Sequence, residues 1–384
     1  MIIDVDSHWE AVNYSAEEHP LEPWREELPG GVDMLAFGIA GDLLAGVPED
    51  DRPTAIELLP ALVARAKERG GPVILHPQHE SSAGERVEWM DRVGIDHCLV
   101  NPGGYWQQLE FIGDDRPRGV RRCNDFLTEQ LSSDADRLHA VAVVDFRDFE
   151  VAVAELERAR ERGARAFFLY TKSGRPPTSM SPGHPAWDAV WTASTRLGMV
   201  PVIHVGNTST DFAGWADIGW KVAGGAGVEG LVRLANTQRV HAAQNLVAAL
   251  LYGGVFARHP DLTVLLAEMR IGWVPDFFRT LERQAAPSPI LGDWPWQTSG
   301  GEMLRRNVRT TPLPGFGDAG ALDFLAEFPD LCVFSSDYPH QEGNENPIEL
   351  YRPGLDALDD ELRARFLGEN MAECFARMGD PLAA

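Results

Sequence analysis

Paired cysteines, excess positive charge and long apolar runs are all missing from this sequence of 384 residues. Its four cysteines, Cys98, Cys123, Cys332 and Cys374, show no CxxC or paired spacing. That argues against disulfides or thiolate ligands, and the apolar, strand-like surroundings of Cys98 and Cys332 predict buried free thiols. Lysine and arginine total 34 against 58 aspartates and glutamates, a formal net charge of −24. So acidic a surface repels nucleic acid and anionic membrane, and neither is expected as a partner. No apolar segment is long enough to span a bilayer, and the chain opens directly in a strand-like run with no basic leader. A cytoplasmic protein is expected on that basis. Repeats, low-complexity tracts and dividing linkers are also lacking, so residues 1–384 read as one domain.

What is present is an alternation. Hydrophobic residues make up 44% of the chain, ample for one (β/α)8 barrel or two medium domains. Strands are predicted at 2–5, 98–100, 139–144, 166–170, 200–204, 263–266, 307–310 and 332–335, from short apolar and β-branched runs. Between them helices are predicted at 84–93, 119–131, 150–162, 185–197, 237–257 and 274–283, and a last one at 360–377. Gly163 and Gly198 stand where helix C′ glycines belong. Residues 11–83 form an insertion after the first strand, with a helix predicted at 54–69 and a loop holding His76 and His79, which read as surface histidines. Long irregular loops are expected after strands 1, 5 and 6; the last two carry Trp215, Trp220, Trp294 and Trp296, which either line an apolar pocket or mediate subunit contacts. Eight strands alternating with helices predict a (β/α)8 TIM-like barrel. A doubly wound open sheet ranks below it, because no Gly-rich phosphate fingerprint follows an early strand.

In such a barrel the chemistry sits at the C-terminal strand ends. Asp6 and His8 end the first strand, and their spacing of two puts both side chains on one side of an extended chain. His204 ends the fifth strand, Glu268 lies just beyond the sixth and Asp337 follows the eighth. Any one of these could be incidental: an N-cap aspartate, a backbone-bonded histidine, a turn aspartate in Ser-Asp-Tyr-Pro. Together, two imidazoles and two carboxylates make a shell for one divalent metal ion, Zn²⁺ first, with Mn²⁺ or Fe²⁺ as alternatives. Glu268 suits an acid–base role if burial raises its pKa, or else a structural pairing with Arg270 or a tryptophan N–H. His241 reads as lying in the first turns of a helix at the barrel mouth, a proton shuttle or a surface residue, and His340 as a brace for its loop.

These residues carry a resemblance to the amidohydrolase superfamily, in the branch containing 2-amino-3-carboxymuconate-6-semialdehyde decarboxylase and γ-resorcylate decarboxylase. It runs through Asp4-Val-Asp-Ser-His8, Arg86 with Met90-Asp91, Asn124-Asp125-Phe126, Arg137-Leu138 and Val200-Pro-Val-Ile-His204. It continues through Gly253-Gly-Val-Phe-Ala-Arg-His-Pro260, Glu268 with Ile271-Gly-Trp-Val-Pro275, Ser335-Ser-Asp-Tyr-Pro-His340 and Glu369-Asn370. The resemblance implies one divalent ion held by Asp6, His8, His204 and Asp337. The related decarboxylases carry a histidine where this chain has Glu268. A metal-dependent decarboxylase of a small aromatic or unsaturated acid is therefore the leading expectation. Next comes a hydrolase of an amide, ester, lactone or related acyl bond, and last a non-catalytic binding protein. A carboxylate-clamping arginine would separate the first two, and Arg175, Arg239 and Arg270 are the candidates. The expected partners are a small aromatic or apolar substrate with a carboxylate or acyl group and a second copy of the chain, as a homodimer.

Overall fold

The computed structural model describes residues 1–9, 17–28, 82–169, 180–205, 227–313, 318, 322–340, 343 and 345–383. Among the described residues seven strands run parallel: β1 (Ile3–Trp9), β2 (His97–Pro102), β3 (Leu138–Ala142), β4 (Ala166–Phe168), β5 (Val200–His204), β6 (Val264–Ala267) and β7 (Val308–Thr310). Each pairs with the next in chain order. An order without reversal curls into a barrel, whereas a doubly wound sheet must reverse direction at a switch point. All seven strands are buried along their whole length, which is why they read as nearly continuous apolar runs.

Residues 332–338, expected as the eighth strand, close the barrel without a regular ladder. Toward β7, Thr310 N donates to Leu331 O at 2.9 Å and Val333 N to Thr310 O at 3.1 Å. Toward β1, Val5 N donates to Phe334 O at 3.2 Å, Asp337 N to Asp6 O at 2.8 Å and His8 N to Tyr338 O at 2.7 Å. Two amides that a strand would give its neighbours go elsewhere. Phe334 N donates to Phe366 O at 3.0 Å, and Ser336 N to the Asp4 carboxylate at 2.9 Å. The pairing is thereby reduced to isolated bridges at Thr310–Cys332 and Ser7–Tyr338.

The helix predicted at 360–377 is interrupted for the same seam. Asp360–Ala364 and Asn370–Arg377 are α-helical, and the π turn Arg365–Glu369 between them contains the Phe366 carbonyl that takes the Phe334 amide. Asn370 Nδ2 donates to Pro329 O and Cys332 O at 2.7 and 2.9 Å. Gly368 lies so close to β1 that a Cβ would stand 2.3 Å from Met1 O, and only glycine permits that approach.

Other helices follow the predicted pattern. Asp148 accepts from Glu150 N and Val151 N to cap Phe149–Glu161, an interaction worth about 1 kcal/mol. Gly94 and Gly198 terminate their helices in the left-handed region, as C′ glycines do. Between the barrel and these helices, Trp187 and Trp191 stack at 5.6 Å, with Phe146 against Trp187 at 4.9 Å. Cys98, Cys123, Cys332 and Cys374 are buried free thiols. Among the described residues no helix is long and apolar enough to cross a membrane.

Two placements differ from expectation. The helix predicted at 237–257 spans Gly227–Tyr252 and is followed by a separate turn, Val255–Arg258, after Gly254 at φ 73°. Its glycine-rich start hides the helix in the sequence. The irregular stretch holding Trp294 and Trp296 follows helix Val274–Ala285, and both rings pack against Tyr252 at 6.2 and 6.5 Å. Tyr252 ends a helix that leaves the mouth after β5, so these tryptophans sit at the opposite end of the barrel and do not line the mouth. Trp215 and Trp220, the helix predicted at 54–69, and His76 and His79 lie outside the described residues. Of the insertion 11–83, residues 17–28 dock on helix Arg116–Gln130 and its approach: Trp24 Nε1 donates to Asp115 at 2.9 Å and Arg122 Nε to Pro20 O at 2.7 Å.

Candidate metal centre

The β1 strand delivers its polar residues through an irregularity. Its pairing with β2 shifts register between Asp4 and Ser7. There the buried Asp4 carboxylate accepts from Asp6 N at 3.2 Å, Ser336 N at 2.9 Å and Ser336 Oγ at 2.5 Å. Burial pushes the Asp4 carboxyl up to about 7, against the pull of these donors. Asp4 thus ties the first and last strands together just below the site. Asp6, two residues on, accepts from Asn101 Nδ2 at the end of β2, at 2.6 Å.

Around His8 the strand ends converge. His8 Nε2 lies 3.4 Å from Asp6 Oδ1, 3.3 Å from His204 Nε2, 3.6 Å from Glu268 Oε1 and 3.4 Å from Asp337 Oδ1. His204 Nε2 is in turn 3.4 Å from Asp6 Oδ1 and 3.2 Å from Glu268 Oε1. His204 Nδ1 faces Val205 O at 2.9 Å; a carbonyl only accepts, so Nδ1 carries a proton and Nε2 is the nitrogen turned inward to the cluster. All five residues are at most 7% exposed.

Glu268 and Asp337 reach this centre through unusual backbone. Both have positive φ, 56° and 55°, and so does Arg270 at 61°. Non-glycine residues in the left-handed region cost of order 1–3 kcal/mol and persist only where the surroundings over-determine them. Here Glu268 N donates to Thr311 Oγ1 at 2.9 Å, and Asp337 N is held by Asp6 O.

The donors fit a small cation. A tetrahedral ion with bonds of about 2.0–2.1 Å has ligand–ligand edges of about 3.3–3.4 Å. The five distances known among Asp6, His8, His204 and Glu268 run from 3.2 to 3.6 Å. One ligand atom from each of those four residues lies within 4.8 Å of all the others, and the same holds for His8, Glu268, Asp337 and His340. Asp6 Oδ2 and Asp337 Oδ2 are buried with no hydrogen-bond partner, so each carboxylate keeps a buried, unmatched oxygen whose charge a cation at the cluster would offset.

Electrostatics within the centre pull in two directions. Burial pushes the Asp6 and Glu268 carboxyls up, but the imidazoles facing them outweigh it, and both are held below the ordinary carboxylate range, Glu268 far below. Burial lowers His8 and His204, yet the carboxylates hold both above the ordinary range, His8 at about 9. Asp337 is pushed up to about 6 by burial and by the Glu268 charge. The condition under which Glu268 would carry a proton, a pKa raised by burial, is thus reversed by its three histidine neighbours, and among the clustered donors Asp337 is the carboxyl held up, at about 6.

The sequence-predicted residues divide accordingly. Asp6, His8, His204, Asp337 and Glu268 come together; Glu268, expected beside an ion, stands among the possible ligands. His340, read as a loop brace, joins the cluster, with Nδ1 at 3.0 Å from Asp337 Oδ1 and its ring 3.9 Å from that of His8. His241 does not join. It lies about four turns into its helix rather than in the first turns, and it is exposed. Asn101 was missed, although a polar residue ending an apolar strand is the signal that marked the others. Arg270 pairs with Asp318 at 3.1 Å; Arg175 and the Arg239 side chain lie outside the described residues.

A buried imidazole and carboxylate cluster at the C-terminal mouth of a parallel barrel defines a metal-dependent barrel enzyme, and the comparisons with known proteins agree. The amidohydrolase family profile matches residues 3–377, and the chain belongs to that family. It is 24% identical over 264 residues to the γ-resorcylate decarboxylase of Polaromonas sp. (strain JS666 / ATCC BAA-500), covering 67% of this chain and 76% of that enzyme. In fold it resembles an amidohydrolase from Mycobacterium avium subsp. paratuberculosis K-10, with a TM-score of 0.67, 21% identity and coverage of 97% of both chains. It also resembles a dihydroxybenzoic acid decarboxylase from Polaromonas sp. JS666 holding manganese and the inhibitor 2-nitroresorcinol. There the TM-score is 0.62 and the identity 19%, over 98% of this chain and 96% of that one.

Proposed function

We propose that this protein is a divalent-metal-dependent, non-oxidative decarboxylase of a small aromatic carboxylic acid. The observation that carries the reading is the cluster of Asp6, His8, His204, Glu268 and Asp337 buried at the barrel mouth. Similarity to a γ-resorcylate decarboxylase across two thirds of the chain supports the substrate class.

In this reading Asp6, His8, His204 and Glu268 hold the ion, with Asp337 beside them. Two carboxylates and two imidazoles accept several divalent ions, and the manganese of the Polaromonas structure favours Mn²⁺ over the Zn²⁺ expected from residue types alone. When bound, the ion supplies positive charge against the oxygens of an acid and of the electron-rich ring left as CO2 departs. The protein's own task is a proton. As the bond from ring to carboxylate breaks, its electron pair stays on the ring carbon, which must then be protonated. Asp337, held at about 6 and hydrogen-bonded to His340, is the group placed to deliver that proton.

The test is turnover by the Mn²⁺-loaded protein on a panel of hydroxybenzoic acids, with evolved CO2 and the phenolic product measured together. CO2 release in step with phenol formation is the expected result. Cleavage of esters, lactones or amides with no CO2 from any acid would replace the lyase with a hydrolase.

A further inference from the structure

Arg86 is buried, 1% exposed, in helix Ala83–Val93, yet its guanidinium works on residues of the metal centre. Nη2 donates to the His8 carbonyl at 2.7 Å, and Nη1 to Ser7 Oγ at 3.2 Å. Three aromatic rings surround the cation: Tyr338 at 5.2 Å, Trp9 at 5.6 Å and Trp89 at 5.7 Å. Trp9 ends β1, and Tyr338 follows Asp337 directly. Trp89 stacks on Tyr338 at 4.2 Å and donates through Nε1 to Glu345 O at 2.9 Å.

We propose that Arg86 is a positioning residue for the metal centre, clamping the His8 peptide and the Asp337–Tyr338 loop into one rigid unit. This rests on the metal-site reading given above. The His8 amide is already fixed by Tyr338 O, so the Arg86 bond to the His8 carbonyl immobilises the peptide on both sides of the residue. Ser7 Oγ, the second acceptor, itself donates to Leu99 O at 3.1 Å, which extends the clamp to β2. A planar fork is required: lysine keeps the charge among the rings but cannot reach two acceptors at fixed angles. Partners behind a metal ligand typically govern 10–100-fold in metal affinity.

The experiment compares wild type, Arg86→Lys and Arg86→Met for Co²⁺ affinity by chelator competition, for the visible spectrum of bound Co²⁺, and for melting temperature. The proposal expects affinity to fall roughly 10–100-fold in both variants with an altered Co²⁺ spectrum, including in Arg86→Lys, which keeps the buried charge and remains folded. Folded variants that bind Co²⁺ with wild-type affinity and spectrum, whatever their melting temperature, would reduce Arg86 to a structural role while leaving the metal site standing. A wild type that takes up no Co²⁺ would instead overturn the metal reading and this proposal with it.

Discussion

Glu268 and Asp337, which leave their strands at φ 56° and 55°, present the Oε1 and Oδ1 that lie 3.6 and 3.4 Å from the same His8 nitrogen. Two strained backbones thus aim two carboxylates at one point. Their charges oppose each other: the Glu268 charge pushes the Asp337 carboxyl up to about 6, while imidazoles hold Glu268 ionised. The two residues have separable duties, and single substitutions can tell them apart.

Glu268→Gln replaces an anionic donor with an amide. Metal affinity and turnover should fall together, with turnover partly restored by excess metal. Metal titration of this variant is the check; wild-type affinity with a rate lowered on the order of 10²–10⁴-fold would return Glu268 to acid–base work.

Asp337→Asn keeps the size of the side chain and its contact with His340 but carries no transferable proton. The rate should drop on the order of 10²–10⁴-fold while circular dichroism and melting temperature stay close to wild type. A variant with near-normal turnover would make Asp337 a turn residue.

Metal uptake should be proton-linked. In the metal-free protein His8 titrates at about 9 and His204 is also held high, so at neutral pH both carry protons that an ion must displace. Affinity should therefore rise as pH is raised from neutrality through about 9, where His8 gives up its proton. Calorimetry in buffers of different ionisation enthalpy measures the protons released, and a buffer-independent heat would contradict the assignment.

A second pH effect lies at the opposite end of the barrel. His97 Nε2 faces Ala383 O at 3.0 Å and so must be protonated, which leaves its Nδ1 to accept from His139 Nε2 at 3.1 Å. Burial, aided by the charges of Arg165, His97 and Arg160, holds His139 down at about 3. An unfolded histidine titrates near 6.5, so protons favour the unfolded chain between those values. The contribution is fully present above about 6.5 and is lost as pH falls toward 3. His139→Gln should flatten the fall of melting temperature over that window; an unchanged slope would clear His139.

The strand-end residues were legible because they break apolar runs at their final positions, which is where a parallel barrel exposes side chains to its mouth. Asp6, His8, His204 and Asp337 all carry that mark. The eighth strand's irregularity was not legible, since it depends on the Asp4 side chain and the Phe366 carbonyl taking amides that a ladder would use. Nor was the proton affinity of Glu268. Burial alone raises a carboxyl, and only the assembled site shows three histidines reversing the sign. His241 was placed too near the helix start because the glycine-rich stretch before it reads as loop, whereas the helix begins at Gly227.

The seam between the last strand and the first couples the site to contacts far from it along the chain. Asn370 and the Phe366 carbonyl hold residues 332–334 in place, and Gly368 rests on Met1. Asp6 and His8 lie far from Asp337 in sequence, so bringing them together closes one of the longest loops in the barrel, at the entropic cost such closure carries. The donor set is therefore complete only when the barrel is closed, and a loosened seam would part Asp337 from Asp6 and His8 while the other strand pairs still stand.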